Sequence, residues 1–322
     1  MANEIIRVEK LVKRFERKSG FWNHCHNSVT AVDNLDFLIY EGETMGLVGE
    51  SGCGKTTLGR MLLHLSIPDS GKVSFMGCDL LLMRSRELRK MRKNMQIVFQ
   101  DPAGSLNSRM RVQEILSEGL NEHYKNKGKY WIKERISEVL SAVGLEKNSL
   151  IRYPHEFSGG ERQRIGIARA LTLHPGFIVC DEPVSALDVS IQAQILNLLN
   201  DLKKQYGLTY LFISHDLSVV KHMATKVAIM YLGRFMEMGP SDTVYKLQKH
   251  PYTQILISAI PKIDKKNQER LRVSGEVPSG DNIPDGCRFH PRCPYAETVC
   301  RTKDPGWKQV GEDHWISCHF VI

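Results

Sequence analysis

Residues 49–56, GESGCGKT, put three glycines, a lysine and a threonine in one short turn. That set is suited to a polyphosphate. Gly49, Gly52 and Gly54 let main-chain N–H groups wrap the phosphates, Lys55 brings a point charge to the β and γ positions, and Thr56 offers a hydroxyl to Mg²⁺. The binding stretch is expected to run through Glu50, Ser51 and Cys53 to Thr57, with Cys53 as a small filler. A second constellation is FIVCDEP, residues 177–183, where an apolar run meets two carboxylates. Asp181 is placed to reach Mg²⁺ through its water shell and Glu182 to polarise an attacking water. Gln100, after QIVF, and His215, after YLFIS, end apolar runs in the same way and are candidates to touch metal, water or γ-phosphate.

FSGGERQRIGIARA, residues 157–170, sets Ser158, Gly159 and Gly160 at the head of an amphipathic helix. Free N–H groups and the positive end of the helix dipole favour an anion there. A helix merely capped by Ser158 would show the same residues.

The elements that must position these groups follow from periodicity. TMGLV before the glycine loop, QIVF, FIVC, TYLFI and VAIMY read as buried strands, with helical stretches between most of them. IIRVEKLVKRF and VTAVDNLDFLI read as an antiparallel flank. The fold class is therefore α/β: a phosphate-loop NTPase core on a mainly parallel sheet, whose C-terminal edge gathers the strand-end polar residues. Between Pro102 and Ser158 helical periodicity takes over, with Val112, Ile115 and Leu116 on one face and Ile132, Ile136, Val139 and Val143 on another. An inserted helical subdomain over 102–158 is expected, interrupting a core of 1–101 and 159–245. Residues 246–322, polar and Pro/Gly-rich from Pro261, form a small appended domain carrying Cys287, Cys293, Cys300 and Cys318.

The 322 residues carry a formal charge of +8, spread along the chain and densest in RSRELRKMRK, residues 84–93, which reads as a solvated helix face. No interleaving of basic and aromatic residues supports a nucleic-acid site. The N-terminus lacks the features of a signal peptide and no apolar run reaches membrane-spanning length, so the chain is expected in the cytosol. Its eight cysteines are then better read as metal ligands or small hydrophobes than as disulfides. Cys25, Cys78 and Cys180 stand apart as packing residues.

Taken in order, GESGCGKT, Gln100, FSGGERQ, VCDEP, SALD (185–188) and His215 resemble the ATP-binding subunits of ABC transporters over about residues 5–260. The resemblance implies a head-to-tail pair of nucleotide domains, in which the FSGGE segment of one closes over the γ-phosphate held by the other. It assigns Phe15 to adenine stacking, where the family more often has Tyr. Gln100 is assigned to Mg²⁺ sensing and coupling to the membrane subunits, Asp188 to the interface loop and His215 to the γ-phosphate. Glu161 departs from the family's glutamine, and its charge is expected to face solvent or to pair with Arg162 or Arg164.

The tail segments HPYTQILISAIP (250–261) and GEVPSGDNIPDGCRFHPRC (275–293) resemble the ATPases of dipeptide, oligopeptide and nickel importers. The stretch RKSGFWNHCHNSVTAVDNLDF resembles the dipeptide-transport F-type subunit. The implied partners are a paralogous D-type ATPase, two transmembrane permease subunits and an extracytoplasmic solute-binding protein, with the chain peripheral at the cytoplasmic face of the inner membrane. Peptide import is the first expectation, with nickel or another small solute as the alternative and, behind both, a soluble ABC ATPase acting on nucleic acid or ribosomes, a class that usually carries tandem cassettes or a long coiled-coil insertion. The four clustered cysteines, separated by 5, 6 and 17 residues, lack the close pairs of a zinc ribbon, and Zn²⁺, an iron–sulfur cluster and unligated thiols all fit that spacing. The resemblance implies a [4Fe–4S] cluster there.

Overall fold

In the computed structural model, residues 3–17, 27–260, 280 and 283–321 are described. Cys25 and parts of the stretches 17–37, 250–261 and 275–293 lie outside them. The chain divides into two discontinuous units, one of Met1–Ile5, Tyr40–Glu43 and Leu82–Ile213, the other of Ile6–Ile39, Thr44–Leu81 and Ser214–Ile322.

Strands β1 (Glu4–Arg17), β2 (Asn27–Tyr40), β4 (Ser70–Phe75) and β5 (Cys78–Asp79), which apart from Glu4, Ile5 and Tyr40 belong to the second unit, form a sheet in the order β2-β1-β4-β5. β1 pairs antiparallel with β4, and β4 with β5. This is the expected antiparallel flank. The same unit carries β3 (Thr44–Val48), which runs parallel to β9 (Lys226–Tyr231) from Met45↔Lys226 to Val48↔Ile229. Both strands are buried throughout, as continuous apolar runs covered on two faces must be. Lys226 is the exception in sequence, and its ammonium reaches Asp313 at 2.8 Å.

β9 turns back through Leu232 and Gly233, both at positive φ, into β10 (Arg234–Pro240). Two left-handed residues give the turn whose twist suits a tight hairpin. β10 pairs in turn with β12 (His314–Ile316), and β12 with β11 (Lys308–Gly311). The cysteine-bearing tail is thus not a free-standing appendage: its strands continue the sheet begun by β3, β9 and β10. Arg234 and Arg288 both bond Asp33, and Arg234 also bonds Asp304, fastening tail to core by charge-assisted bonds.

In the first unit, β6 (Met95–Val98), β7 (Phe177–Asp181) and β8 (Thr209–Ser214) lie parallel, with registers Val98↔Cys180 and Asp181↔Ile213. Helices Pro102–Ser105, Val112–His123 and Gly128–Ala142 occupy the segment expected to be helical. They bury the expected faces, including Val112, Ile115 and Leu116 on one and Ile136 and Val139 on another. The basic run forms helix Ser85–Arg92, of which Leu88 alone is buried, as a solvated face requires. Among the described residues no helix is long and apolar enough to cross a membrane.

Candidate nucleotide site

The second unit holds the phosphate loop. β3 delivers the chain into residues 49–54, and helix Lys55–Leu62 leaves them. Two glycines are there for steric reasons. Gly54 sits at φ +110°, and a Cβ on it would lie 1.9 Å from the carbonyl oxygen of Ala31; one on Gly49 would lie 2.1 Å from that of Met230. The loop is thus pressed against β2 and β9, and neither position accepts a side chain. Lys55 is buried and its Nζ donates to the carbonyls of Gly49 (2.7 Å) and Glu50 (3.0 Å), so the ammonium is held inside the loop's own curve. Cys53 is 4 % exposed and burial raises its thiol pKa, the behaviour of a packing residue. Phe15, on β1, exposes 45 % of its surface with the Lys13 ammonium over its ring, which makes it an accessible aromatic face. His215 is exposed, just after β8 and before Asp216, whose carboxylate caps helix Leu217–Met223 by accepting from Ser218.

Two residues unassigned by the sequence reading also bear on the loop. The Tyr252 hydroxyl accepts from the Glu50 N–H at 3.2 Å, and Arg292 donates to both carboxylate oxygens of Glu50, at 2.7 and 2.9 Å. Their signals lay in HPY and HPRC, but nothing in local spacing tells which distant acid a tail arginine meets.

The first unit holds Gln100, Asp181 and Glu182, the residues expected from the sequence to serve hydrolysis. Asp181 is buried as the last residue of β7. Glu182 follows at φ +45°, a left-handed conformation uncommon for a non-glycine residue, with its N–H bonded to the Ile213 carbonyl. That turn re-aims the carboxylate after the strand, and Gln100 Nε2 donates to its Oε2 at 2.9 Å. Two strand-end residues 82 positions apart are therefore partners.

The signature segment begins helix Gly159–Leu171, with Ser158 as N-cap. The sequence points Glu161 to solvent or to Arg162 or Arg164. In the structure its carboxylate instead turns back to accept from the Ser158 N–H (2.9 Å) and hydroxyl (2.7 Å), completing a capping box. These bonds from Ser158 hold its pKa below the usual carboxylate range. The arginines are engaged elsewhere: Arg162 donates to the Pro154 carbonyl and Arg164 to that of Val143. A Cβ on Gly160 would meet Ile191 at 2.6 Å, so this turn packs closely on helix Val189–Tyr206, whose N-cap is the exposed Asp188. At the other end of the signature helix, buried Arg135 donates to the carbonyls of Leu171 (2.6 Å) and Thr172 (3.2 Å), a cation on a helix C-terminus.

Cys287, Cys293, Cys300 and Cys318 line one cavity, together with Phe289, Tyr295 and Phe320. Burial pushes the Cys287 thiol up to about 12 and raises those of Cys293 and Cys318. Among the described residues no group of three or more His, Cys, Asp or Glu side chains is placed to hold a metal ion, so the expected [4Fe–4S] cluster gains no support here.

An ABC transporter family model matches residues 32–185, and an oligopeptide/dipeptide transporter C-terminal region matches residues 236–300. The oligopeptide transport ATP-binding protein AppF of Bacillus subtilis is 47 % identical over 98 % of this chain and 97 % of its own. The chain belongs to the ABC transporter ATP-binding subunits. A putative peptide import ATP-binding protein of Brucella ovis is 48 % identical to this ABC ATPase, over 98 % of this chain and 97 % of its own. Among solved structures, cbiO1 from Clostridium perfringens, part of the ABC transporter complex cbiONQ, superposes with a TM-score of 0.65 at 26 % identity. It covers 76 % of this chain and 92 % of its own. The bacterial ABC transporter cassette MJ0796, solved as a dimer, gives the same TM-score of 0.65 at 26 % identity, over 74 % of this chain and 99 % of its own.

Proposed function

We propose that this ABC ATPase is the motor subunit of an importer for di- or oligopeptides. The observation that carries the reading is the oligopeptide/dipeptide transporter C-terminal region at 236–300, joined in one chain to the phosphate loop and signature helix. The core is residues 1–101 and 159–245, with 102–158 as helical subdomain and 246–322 as transporter-specific extension.

Each polar group then has a task. Main-chain N–H groups from Gly49 to Thr57 and the Lys55 ammonium bind the phosphates of ATP, and Phe15 stacks on adenine. Thr56, Gln100 and Asp181 hold Mg²⁺, whose charge offsets that developing on the β and γ oxygens. Glu182 orients and polarises the attacking water, Gln100 fixes its carboxylate, and His215 contacts the γ-phosphate. Ser158, Gly159, Gly160, Glu161 and Asp188 complete the ATP site of a second ATPase subunit, the D-type paralogue. Closure of the pair drives two transmembrane permeases, with an extracytoplasmic binding protein delivering solute. The chain works at the cytoplasmic face of the inner membrane and binds no nucleic acid.

For the four cysteines the reading is a [4Fe–4S] cluster. Cys287, Cys293, Cys300 and Cys318 line one cavity and would supply its thiolate ligands. When bound, the cluster supplies a covalent tie between the chain segments that bear the four residues.

The test is to co-purify the chain with its permeases and measure ATP hydrolysis with the binding protein present. Di- or oligopeptides are expected to stimulate turnover. Stimulation by nickel and not by peptides would replace the substrate assignment. Iron and acid-labile sulfide in an anaerobic preparation check the cluster.

A further inference from the structure

A carboxylate inside a phosphate-binding loop poses an electrostatic difficulty. Glu50 is the second residue of GESGCGKT, and a charge there repels the polyphosphate the loop must receive. The molecule answers with a guanidinium from 242 residues further along the chain. Arg292 grips the carboxylate with both terminal nitrogens, in the parallel fork geometry that gives such pairs their strength. The arginine side chain is 8 % exposed and the glutamate 26 %, so solvent screens the pair only in part. Glu50 is held twice, since the Tyr252 hydroxyl also accepts its N–H.

The support behind this grip is aromatic. Tyr231, Tyr252 and Phe289 are all buried and pack as an aromatic triad, with ring centroids 4.9 to 5.4 Å apart. Arg292 lies over the Tyr231 ring, in the short helical turn His290–Arg292 between Cys287 and Cys293. The tail thus reaches the phosphate loop through Tyr252 and through Arg292, whose position the cysteine-bearing segment sets.

We infer that Arg292 is a positioning residue of the ATP site, which neutralises Glu50 and holds it in place so that the phosphate loop accepts the nucleotide. The inference rests on the ATPase reading, and a wild-type chain that bound no Mg·ATP would fail that reading instead. The experiment is calorimetric titration of the full-length chain with Mg·ATP, beside thermal unfolding without nucleotide. Arg292→Ala is expected to weaken binding about tenfold or more, as loss of one partner of a close charge pair does. Glu50→Gln, which removes the repulsive charge, is expected to tighten binding by about threefold. The decisive variant is the double substitution. If Arg292 acts by cancelling Glu50, Arg292→Ala/Glu50→Gln recovers most of the lost affinity; if it only braces the fold, the double variant binds as poorly as Arg292→Ala. Arg292→Lys, which keeps the charge but not the fork, should fall between wild type and Arg292→Ala. Unchanged affinity in Arg292→Ala, or no recovery in the double variant, overturns the assignment. Should Arg292→Ala fail to fold, weaker binding by Glu50→Gln than by wild type would also overturn it.

Discussion

Gln100 and Glu182 meet through a single 2.9 Å hydrogen bond from the amide nitrogen to the carboxylate, each residue standing just beyond one of two paired parallel strands. The amide fixes one carboxylate oxygen. The glutamate backbone is itself in a left-handed conformation that costs of order 1–3 kcal/mol, so its direction is set by the turn as well as by the partner.

Glu182→Gln is expected to lower ATP turnover by about 10²–10⁴-fold, the range for loss of a general base, while leaving Mg·ATP binding in place. Gln100→Ala should cost less, because the carboxylate survives with a looser orientation. Steady-state hydrolysis and nucleotide binding, measured on the same preparations, check both; full turnover in Glu182→Gln would remove its catalytic role.

At the phosphate loop, Gly54→Ala is expected to abolish nucleotide binding. Its Cβ would collide with the Ala31 carbonyl at 1.9 Å, and its φ of +110° is closed to alanine. Gly52→Ala is the control, since its φ of +79° brings strain but nothing lies within 4 Å of a Cβ there. Of the two, Gly52→Ala should bind Mg·ATP more tightly.

Glu161→Gln should leave stability within about 0.5 kcal/mol, because an amide oxygen can serve the same capping box, whereas Glu161→Ala should lose about 1 kcal/mol. Acid separates the two residues. Glu161 has a depressed pKa in the fold, so its contribution is complete above the ordinary carboxylate range and disappears as pH falls through the lower, folded value. Denaturant melts between neutral pH and pH of about 3 should show that loss in wild type and its absence in Glu161→Gln.

Arg135→Met should destabilise the chain by about 2–4 kcal/mol, since two carbonyls at the end of the signature helix lose a charged donor. Partly exposed Glu138, 2.7 Å from the guanidinium, also loses its ion-pair partner. A lowered unfolding midpoint without ligand is the expected sign; an unchanged midpoint would show that water replaces the arginine.

The parts legible in the sequence were those whose signal is local. TMGLV, FIVC and VAIMY are continuous apolar runs, and buried parallel strands leave that trace. GESGCGKT with its flanking strand and helix was legible for the same reason. β10 was not, because RFMEMGP carries the buried Glu237 in its middle, and only the folded chain supplies its partners, among them His314 at 2.8 Å. β11 and β12 are too short to show a period. The pairing of Glu161 with Ser158 is written locally as S-x-x-E, whereas which carbonyls Arg162 and Arg164 bond depends on the fold. Arg292 and Glu50, 242 positions apart, are beyond any reading of spacing.

The ladder between β10 and β12 bears on how the protein stays dispersed. β10 is a buried, largely apolar strand, and the pairing of Glu237 with Ile316 and of Met238 with Trp315 occupies main-chain groups that would otherwise recruit a neighbouring molecule. The strand that ends up outermost is the four-residue β11, KQVG, with alternate residues turned to solvent. A chain shortened before residue 308 would exchange this brief polar margin for a bare hydrophobic one, and its first defect would be self-association rather than slow catalysis.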